Sequence, residues 1–265
     1  MRCARTDSAT ATASTDRGSR RDSIPRHVRI GTSGWQYADW RGVLYPHGLP
    51  QRTWLPRYAE VFDTVEVNNS FYRLPTAAIF EGWRESVSPG FVVAAKLSRY
   101  LTHIRGLREP EAAVSLFMER AAHLGAHLGP VVMQLPPTLA RDQDRLERAL
   151  AAFPSHVRVA VEFRHPSWFT DAIRAVLHRH NASLDWADRN GRLRNPDWIT
   201  ADWLYLRLHG GRGRAGNYGR TVIDAYAKRL SRIDRDAYVY FNNDATGNAV
   251  RNALDLAATL RSIPP

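Results

Sequence analysis

Eight short runs rich in β-branched and aliphatic residues recur along residues 28–244, and nearly every one carries a polar or ionisable residue at its C-terminal end. They are Val28–Trp35, Thr64–Tyr72, Phe91–Tyr100, Pro130–Pro137, Arg158–His165, Ser183–Asp188, Trp203–Gly210 and Ala237–Asp244. Mostly helix-like stretches separate them. A strand that is apolar on both faces needs cover on both, which alternation with helices supplies. Eight such βα units predict a closed parallel barrel. In that architecture the C-terminal strand ends build the active site, so the terminal polar residues are where chemistry is expected.

The 265-residue length suits one such domain, because barrels of this type take about 250 residues. The expected fold is α/β, a single TIM-type (β/α)8 barrel over residues 28–265, preceded by a disordered tail over residues 1–27. The tail is rich in Arg, Ser, Thr and Asp and has too few apolar groups to offset the entropy of ordering. Helical spacing marks Thr76–Val87, Ala112–Ala126, Gln143–Ala152, Thr170–His180, Val222–Ile233 and Thr246–Leu260 as the outer layer. Asn190–Thr200 contains Gly191 and Pro196 and is a poor helix, so one βα unit is expected to be abbreviated.

No apolar run approaches the roughly 18 residues of a bilayer span, and the N-terminus lacks the apolar segment of a secretory signal. Cys3 is the single cysteine, which excludes a disulfide framework and a thiolate cluster and points to the cytoplasm. The formal charge of +11 divides into six Arg against three Asp in the tail and +8 in the remainder. Such an excess suits phosphate-bearing partners, nucleic acid among them. All but Lys96 and Lys228 of the 37 cationic residues are Arg, a bias that genome composition also produces, so charge alone is weak support.

Strand parity sharpens the search. In Thr64-Val65-Glu66-Val67-Asn68, Val65 and Val67 are expected to meet the helices, which turns Glu66 and Asn68 into the upper barrel. The same alternation brings in Lys96 with Ser98, Glu162 with Arg164, Arg207 with His209, and Asn242, and places His165 at a strand end. Inward ionisable groups are costly unless they meet a counter-charge, a donor or a substrate. Glu66 and Glu162 suit a general acid/base pair. They equally suit a divalent metal shared with His165, His209 or Asp244. No compact metal motif selects that option, and no organic cofactor motif is present. His123 and His127 have i,i+4 spacing but lack the adjacent Glu of a zincin, which leaves them a solvent-facing helical pair. The stretch His209-Gly210-Gly211-Arg212-Gly213-Arg214 follows the seventh run, where barrels often cradle phosphate on backbone N–H groups.

Gly31-Thr32-Ser33-Gly34-Trp35-Gln36-Tyr37, Thr64-Val65-Glu66-Val67-Asn68, Phe71-Tyr72, Lys96 with Ser98-Arg99, Thr102-His103, Gln134-Leu135-Pro136-Pro137, Glu162-Phe163-Arg164-His165, Ser167-Trp168, Arg207-Leu208-His209-Gly210 and Phe241-Asn242-Asn243 together resemble the YecE-like family, domain of unknown function 72. The resemblance covers about residues 28–260. It implies a TIM-type barrel and, at matching positions, Glu66, Asn68, Lys96, Glu162, Arg164, His165, Trp168, Arg207, His209 and Asn242. It implies no particular activity.

The expected function is an enzyme acting on a small polar, anionic substrate, phosphate-bearing compounds included. Glu66, Lys96, Glu162, His165 and His209 are the catalytic candidates. Trp35, Tyr37, Asn68, Arg164, Trp168, Arg207 and Asn242 are the candidates for holding the substrate. Two alternatives stay open: a metal-assisted phosphodiesterase or nucleic-acid-processing barrel, and a non-catalytic metabolite- or partner-binding protein.

Overall fold

The computed structural model describes residues 28–264, so the tail and Cys3 lie outside the described residues. The chain runs β1 (Val28–Thr32), α1 (Trp54–Ala59), β2 (Thr64–Val67), α2 (Asn69–Tyr72), α3 (Ala77–Glu85), β3 (Val92–Lys96), α4 (Pro110–Ala121), β4 (Leu128–Gln134), α5 (Gln143–Ala151), β5 (Val159–Glu162) and α6 (Asp171–Arg179). It continues with β6 (Ser183–Arg189), β7 (Arg192–Leu193), β8 (Trp203–Leu208), α7 (Arg220–Leu230), β9 (Asp236–Phe241) and α8 (Asn248–Ser262). Strands β2, β3, β4, β5, β6, β8, β9 and β1 lie side by side in that order and are parallel throughout. This is the nearly closed eight-stranded barrel that the eight runs predict. β7 folds back on β6 as a short antiparallel hairpin.

The seam between β1 and β2 closes by a side-chain device. Beside a parallel bridge of Ser33 with Glu66, the Tyr58 hydroxyl from α1 accepts from Thr32 N at 3.0 Å and donates to Thr64 O at 3.0 Å. One phenol thus satisfies backbone groups that a ladder would otherwise pair. The strands approach so closely that a Cβ on Gly31 would lie 2.2 Å from Thr64 O, so glycine is required there.

Two apolar layers result from strand alternation. The outward set, including Val65, Val67, Val131, Met133, Val161, Leu184 and Leu206, packs under the helices. A separate inward cluster of Ala94, Val132, Ala160, Trp203, Tyr205, Tyr238 and Tyr240 fills the lower barrel. Small residues on β3 and β5 face large aromatics on β8 and β9, which lets a closed barrel fill without voids.

The helices follow their apolar spacing and local caps. Asp142 accepts from Arg145 N at 3.1 Å at the start of α5, and Thr170 Oγ1 accepts from Ile173 N at 3.4 Å at the start of α6. The expected helix over 112–126 ends at Ala121, because the following 3-10 segment kinks at Gly125, whose φ is +57°. Helix α1 was not anticipated. The abbreviated unit is the connection from β6 to β8, which contains no helix and is pinned by Thr200 Oγ1 accepting from Leu184 N at 2.9 Å. No helix of the described residues is long and apolar enough to cross a membrane.

Candidate active site at the barrel mouth

Two residues beyond the aromatic cluster, the inward positions turn ionic. Glu66 on β2 is fully buried and accepts three hydrogen bonds: from Ser33 Oγ at 2.7 Å, Tyr205 OH at 2.7 Å and Arg207 Nη2 at 2.9 Å. Arg207 on β8 reaches Glu162 on β5 with its other terminal nitrogen. Arg164 Nε donates to Glu162 Oε1 at 2.8 Å. A chain of alternating charges therefore runs from Glu66 through Arg207 and Glu162 to Arg164, whose side chain is 43% exposed and reaches the mouth.

Gln134 at the end of β4 joins this chain to Lys96 at the end of β3. Its Oε1 accepts from Lys96 Nζ at 2.8 Å and from Arg164 Nη2 at 2.9 Å. Lys96 makes no salt bridge among the described residues, and its ammonium lies 4.1 Å from the centre of the Phe71 ring. Burial and the charge of Arg207 push its amine down to about 8.

Burial alone would raise the carboxyls of Glu66 and Glu162, but Arg207, with further donors, holds both below the usual range. His209, beyond the end of β8, is pushed down to about 4 by burial and by Arg207, so its ring is neutral near pH 7. Its Nδ1 lies 3.1 Å from Asn242 Nδ2, and its Nε2 has no hydrogen-bond partner.

Asp185, inward on β6, was missed by reading the strand ends. It is fully buried and neither carboxylate oxygen has a hydrogen-bond partner. Burial and the charge of Glu162 push its carboxyl well above the usual range. With Asp185 included, the cluster holds three carboxylates against the three cations Lys96, Arg164 and Arg207.

The remaining candidates sort by position. Tyr37 donates to Ser33 O at 2.7 Å, and with Trp35 and Asn68 it lines a cavity of about 150 Å³ beside Ser33. Asn68 precedes α2 rather than ending a strand, and its Oδ1 has no partner. Ser70, expected on the Glu66 face, lies within α2 and donates to Lys96 O at 2.6 Å. Asp244, proposed from sequence as a metal ligand, sits among Tyr37, Glu66 and Asp39 and is pushed up to about 7, chiefly by burial.

Three expectations meet other surroundings. His165 caps the turn Pro166–Trp168, with Nδ1 2.8 Å from Ser167 Oγ, and stands outside the ionic cluster. Trp168 is fully buried, stacks on Phe163 at 4.8 Å and donates to Leu139 O at 2.7 Å, so it packs under the helices instead of walling a pocket. Arg207 is fully buried with each terminal nitrogen donating to a carboxylate, while its Nε has no hydrogen-bond partner, so it stands beneath the mouth as an anchor of the ionic chain.

The Gly/Arg loop after His209 is also spoken for. Gly210 N donates to Tyr218 OH at 2.9 Å, Gly211 N to Gly216 O at 2.7 Å and Gly213 N to Asn217 O at 3.0 Å. A Cβ on Gly211 would lie 2.1 Å from Asn217 O, so this glycine serves a tight loop closure rather than a phosphate cradle. His123 Nδ1 contacts Glu81 Oε1 at 2.7 Å and His127 Nδ1 contacts Phe91 O at 2.8 Å, both away from the mouth.

Comparison with known proteins agrees with this architecture. A DUF72 family protein of Thermotoga maritima MSB8 superposes with a TM-score of 0.77 at 26% identity, covering 89% of this chain and 99% of that one. A DUF72 family protein of Enterococcus faecalis V583 gives a TM-score of 0.75 at 18% identity, over 90% and 97% of the two chains. The UPF0759 protein YunF of Bacillus subtilis is 22% identical over 272 aligned residues, covering 88% of this chain and 94% of the relative. The sequence model described as "Protein of unknown function DUF72" matches residues 29–264, and the chain belongs to that family.

Proposed function

We propose that the barrel mouth is the active site of an enzyme acting on a small, polar, anionic substrate by acid–base chemistry. The observation that carries this reading is the pair of cations on one neutral acceptor: Lys96 Nζ at 2.8 Å and Arg164 Nη2 at 2.9 Å from Gln134 Oε1. An amide oxygen orients two cationic heads without neutralising either. Lys96 has no carboxylate partner among the described residues, and a carboxylate or phosphate group of a substrate supplies one at the point where Arg164 reaches solvent.

The roles follow from burial and partners. Arg164 holds the anionic group with its planar donors. Lys96 keeps its proton near pH 7 yet gives it up more readily than an exposed amine, which suits a general acid at a developing negative charge. Glu162 orients both Arg164 and Arg207, and Glu66, saturated by three donors, anchors Arg207. Glu66 therefore acts as a positioning group instead of a base.

Calorimetric titration of the full chain with inorganic phosphate and small carboxylates tests this reading. Lys96→Met and Arg164→Met should each weaken binding tenfold or more, about 1.4 kcal/mol, with the melting curve retained. Unchanged affinity in both variants overturns the proposed site.

A further inference from the structure

We infer that Glu162, Asp185 and His209 form a site for one divalent cation of the first-row transition series, set beneath the barrel mouth. The three residues come from β5, β6 and the end of β8, which are consecutive around the barrel. One donor atom from each lies within 4.8 Å of the others, and His209 Nε2 is 4.0 Å from Glu162 Oε1. Donors on one tetrahedral ion at about 2.0–2.2 Å stand about 3.3–3.6 Å apart, so a pair separated by 4.8 Å must draw together by roughly an ångström or more as the ion binds.

An acidic cluster alone carries no such assignment; the unpartnered atoms do. Asp185 is fully buried with both oxygens unbonded, and His209 Nε2 is unbonded beside it. Buried polar groups in folded proteins are almost always paired. A cation supplies one partner to Asp185, His209 and Glu162 at once. Two carboxylates with one imidazole suit zinc, manganese or cobalt better than magnesium or calcium, which favour oxygen alone.

The surroundings constrain this site further. For Nε2 to offer its lone pair, the imidazole proton must sit on Nδ1, which then needs an acceptor. Asn242 provides one if its amide presents oxygen in place of nitrogen, a rotation that exchanges two nearly isosteric atoms. Arg164 and Arg207 already hold Glu162 in place, at the cost of electrostatic competition with the ion. Asn242 is thus a positioning residue for His209. The inference stands apart from the anion reading, since Lys96 and Arg164 contribute no ligand.

The test uses the full chain, stripped with a chelator, dialysed and titrated separately with Zn²⁺ and Co²⁺. Expected are one ion per chain, a rise in melting temperature and a visible Co²⁺ absorption band. Asn242→Ala should weaken binding about 10–100-fold, as loss of such an outer partner does elsewhere. Asp185→Asn and His209→Gln, both near-isosteric, should weaken it by more than that. Circular dichroism establishes that each variant is folded before titration. No saturable uptake of either ion by the folded parent overturns the site, as does equal uptake in both Asp185→Asn and His209→Gln. Phosphate titration of the chelated parent reports separately on Lys96 and Arg164, so the two readings fail independently.

Discussion

Ala94, Val132, Ala160 and Tyr205 stand two residues before Lys96, Gln134, Glu162 and Arg207 on the same inward faces, yet the two levels of the barrel obey different physics. The lower level gains stability by excluding water from aromatic rings that interlock with small residues. The upper level places ions in the same enclosed space, where each must recover its hydration from a neighbour. A protein needing only a closed barrel could repeat the lower chemistry upward. The contrast teaches that the upper level is held by charge pairing and the lower by volume, so the two should respond to different perturbations.

The sharpest break comes from one deletion at each level. Trp203→Ala empties a fully buried site in the lower cluster and should cost about 3–5 kcal/mol, with little change in the cost between pH 5 and 8. Arg207→Met keeps most of the side-chain volume above it but leaves Glu66 and Glu162 without their shared cation. It should also cost about 3–5 kcal/mol near pH 7. Here the cost depends on pH. In the parent, Arg207 depresses both carboxyls, so their stabilisation is present above the unfolded value of 4.5 and is lost as pH falls below it. In Arg207→Met burial, the largest influence on both carboxyls, meets fewer counter-charges, so both move up and the loss of stability on acidification should shrink or reverse. Denaturant melts from pH 4 to 8, with Glu66→Gln added to Arg207→Met as a partial rescue, decide the matter; a pH-independent cost means that the level is held by packing after all.

Alternation made much of this legible in the chain. Glu66, Lys96, Glu162 and Arg207 lie within their strands or at the last strand residue, where period-two parity is reliable, and all four face the barrel interior. Asp185 lies in the middle of its run and Asp188 at the end, so strand ends point to Asp188, although the two have opposite parity on β6 and one of them must face inward. Asp188 takes the outward side, where Tyr218 and Tyr226 hydroxyls donate to it at 2.7 Å each. His165 and Trp168 follow the last residue of β5, and Ser70 lies beyond β2. Once the chain leaves the sheet, parity no longer predicts direction. The loop after His209 shows the converse difficulty: glycines suited to binding a phosphate are equally suited to binding their own backbone, as Gly211 does with Gly216 O.

Lys96 provides a smaller and purely electrostatic test. Its folded-state amine is lowered from 10.5 to about 8 by burial and by Arg207. Between those values the unfolded chain binds more protons than the folded one, so the contribution of Lys96 to stability rises with pH, by at most about 1.4 kcal/mol per unit. Below pH 8 both states hold the proton and the buried charge weighs fully against folding. Lys96→Met should therefore be at least as stable as the parent at pH 7 and should lose the rise between pH 8 and 10. Chemical denaturation across that range measures it, and parallel curves for parent and variant would place the amine in solvent.

The finest comparison uses two neighbouring phenols that straddle the boundary. Tyr205 and Tyr240 lie on adjacent strands with ring centres 5.2 Å apart, and both are fully buried. The Tyr205 hydroxyl donates upward to Glu66 Oε2 at 2.7 Å, whereas the Tyr240 hydroxyl lies 2.6 Å from Thr64 Oγ1. A hydrogen bond to a charged group is worth about 1.5–3 kcal/mol and a neutral one about 0.5–1.5. Tyr205→Phe should therefore cost more than Tyr240→Phe, since Thr64 Oγ1 can still donate to Val92 O at 2.9 Å when the phenol is gone. Loss of the Tyr205 donor also lifts the Glu66 carboxyl, so the cost of Tyr205→Phe should shrink as pH falls below the carboxylate range while that of Tyr240→Phe stays flat. Equal costs with equal pH profiles would erase the boundary between the two levels at this depth; a larger, acid-sensitive cost for Tyr205 alone fixes it between these two rings.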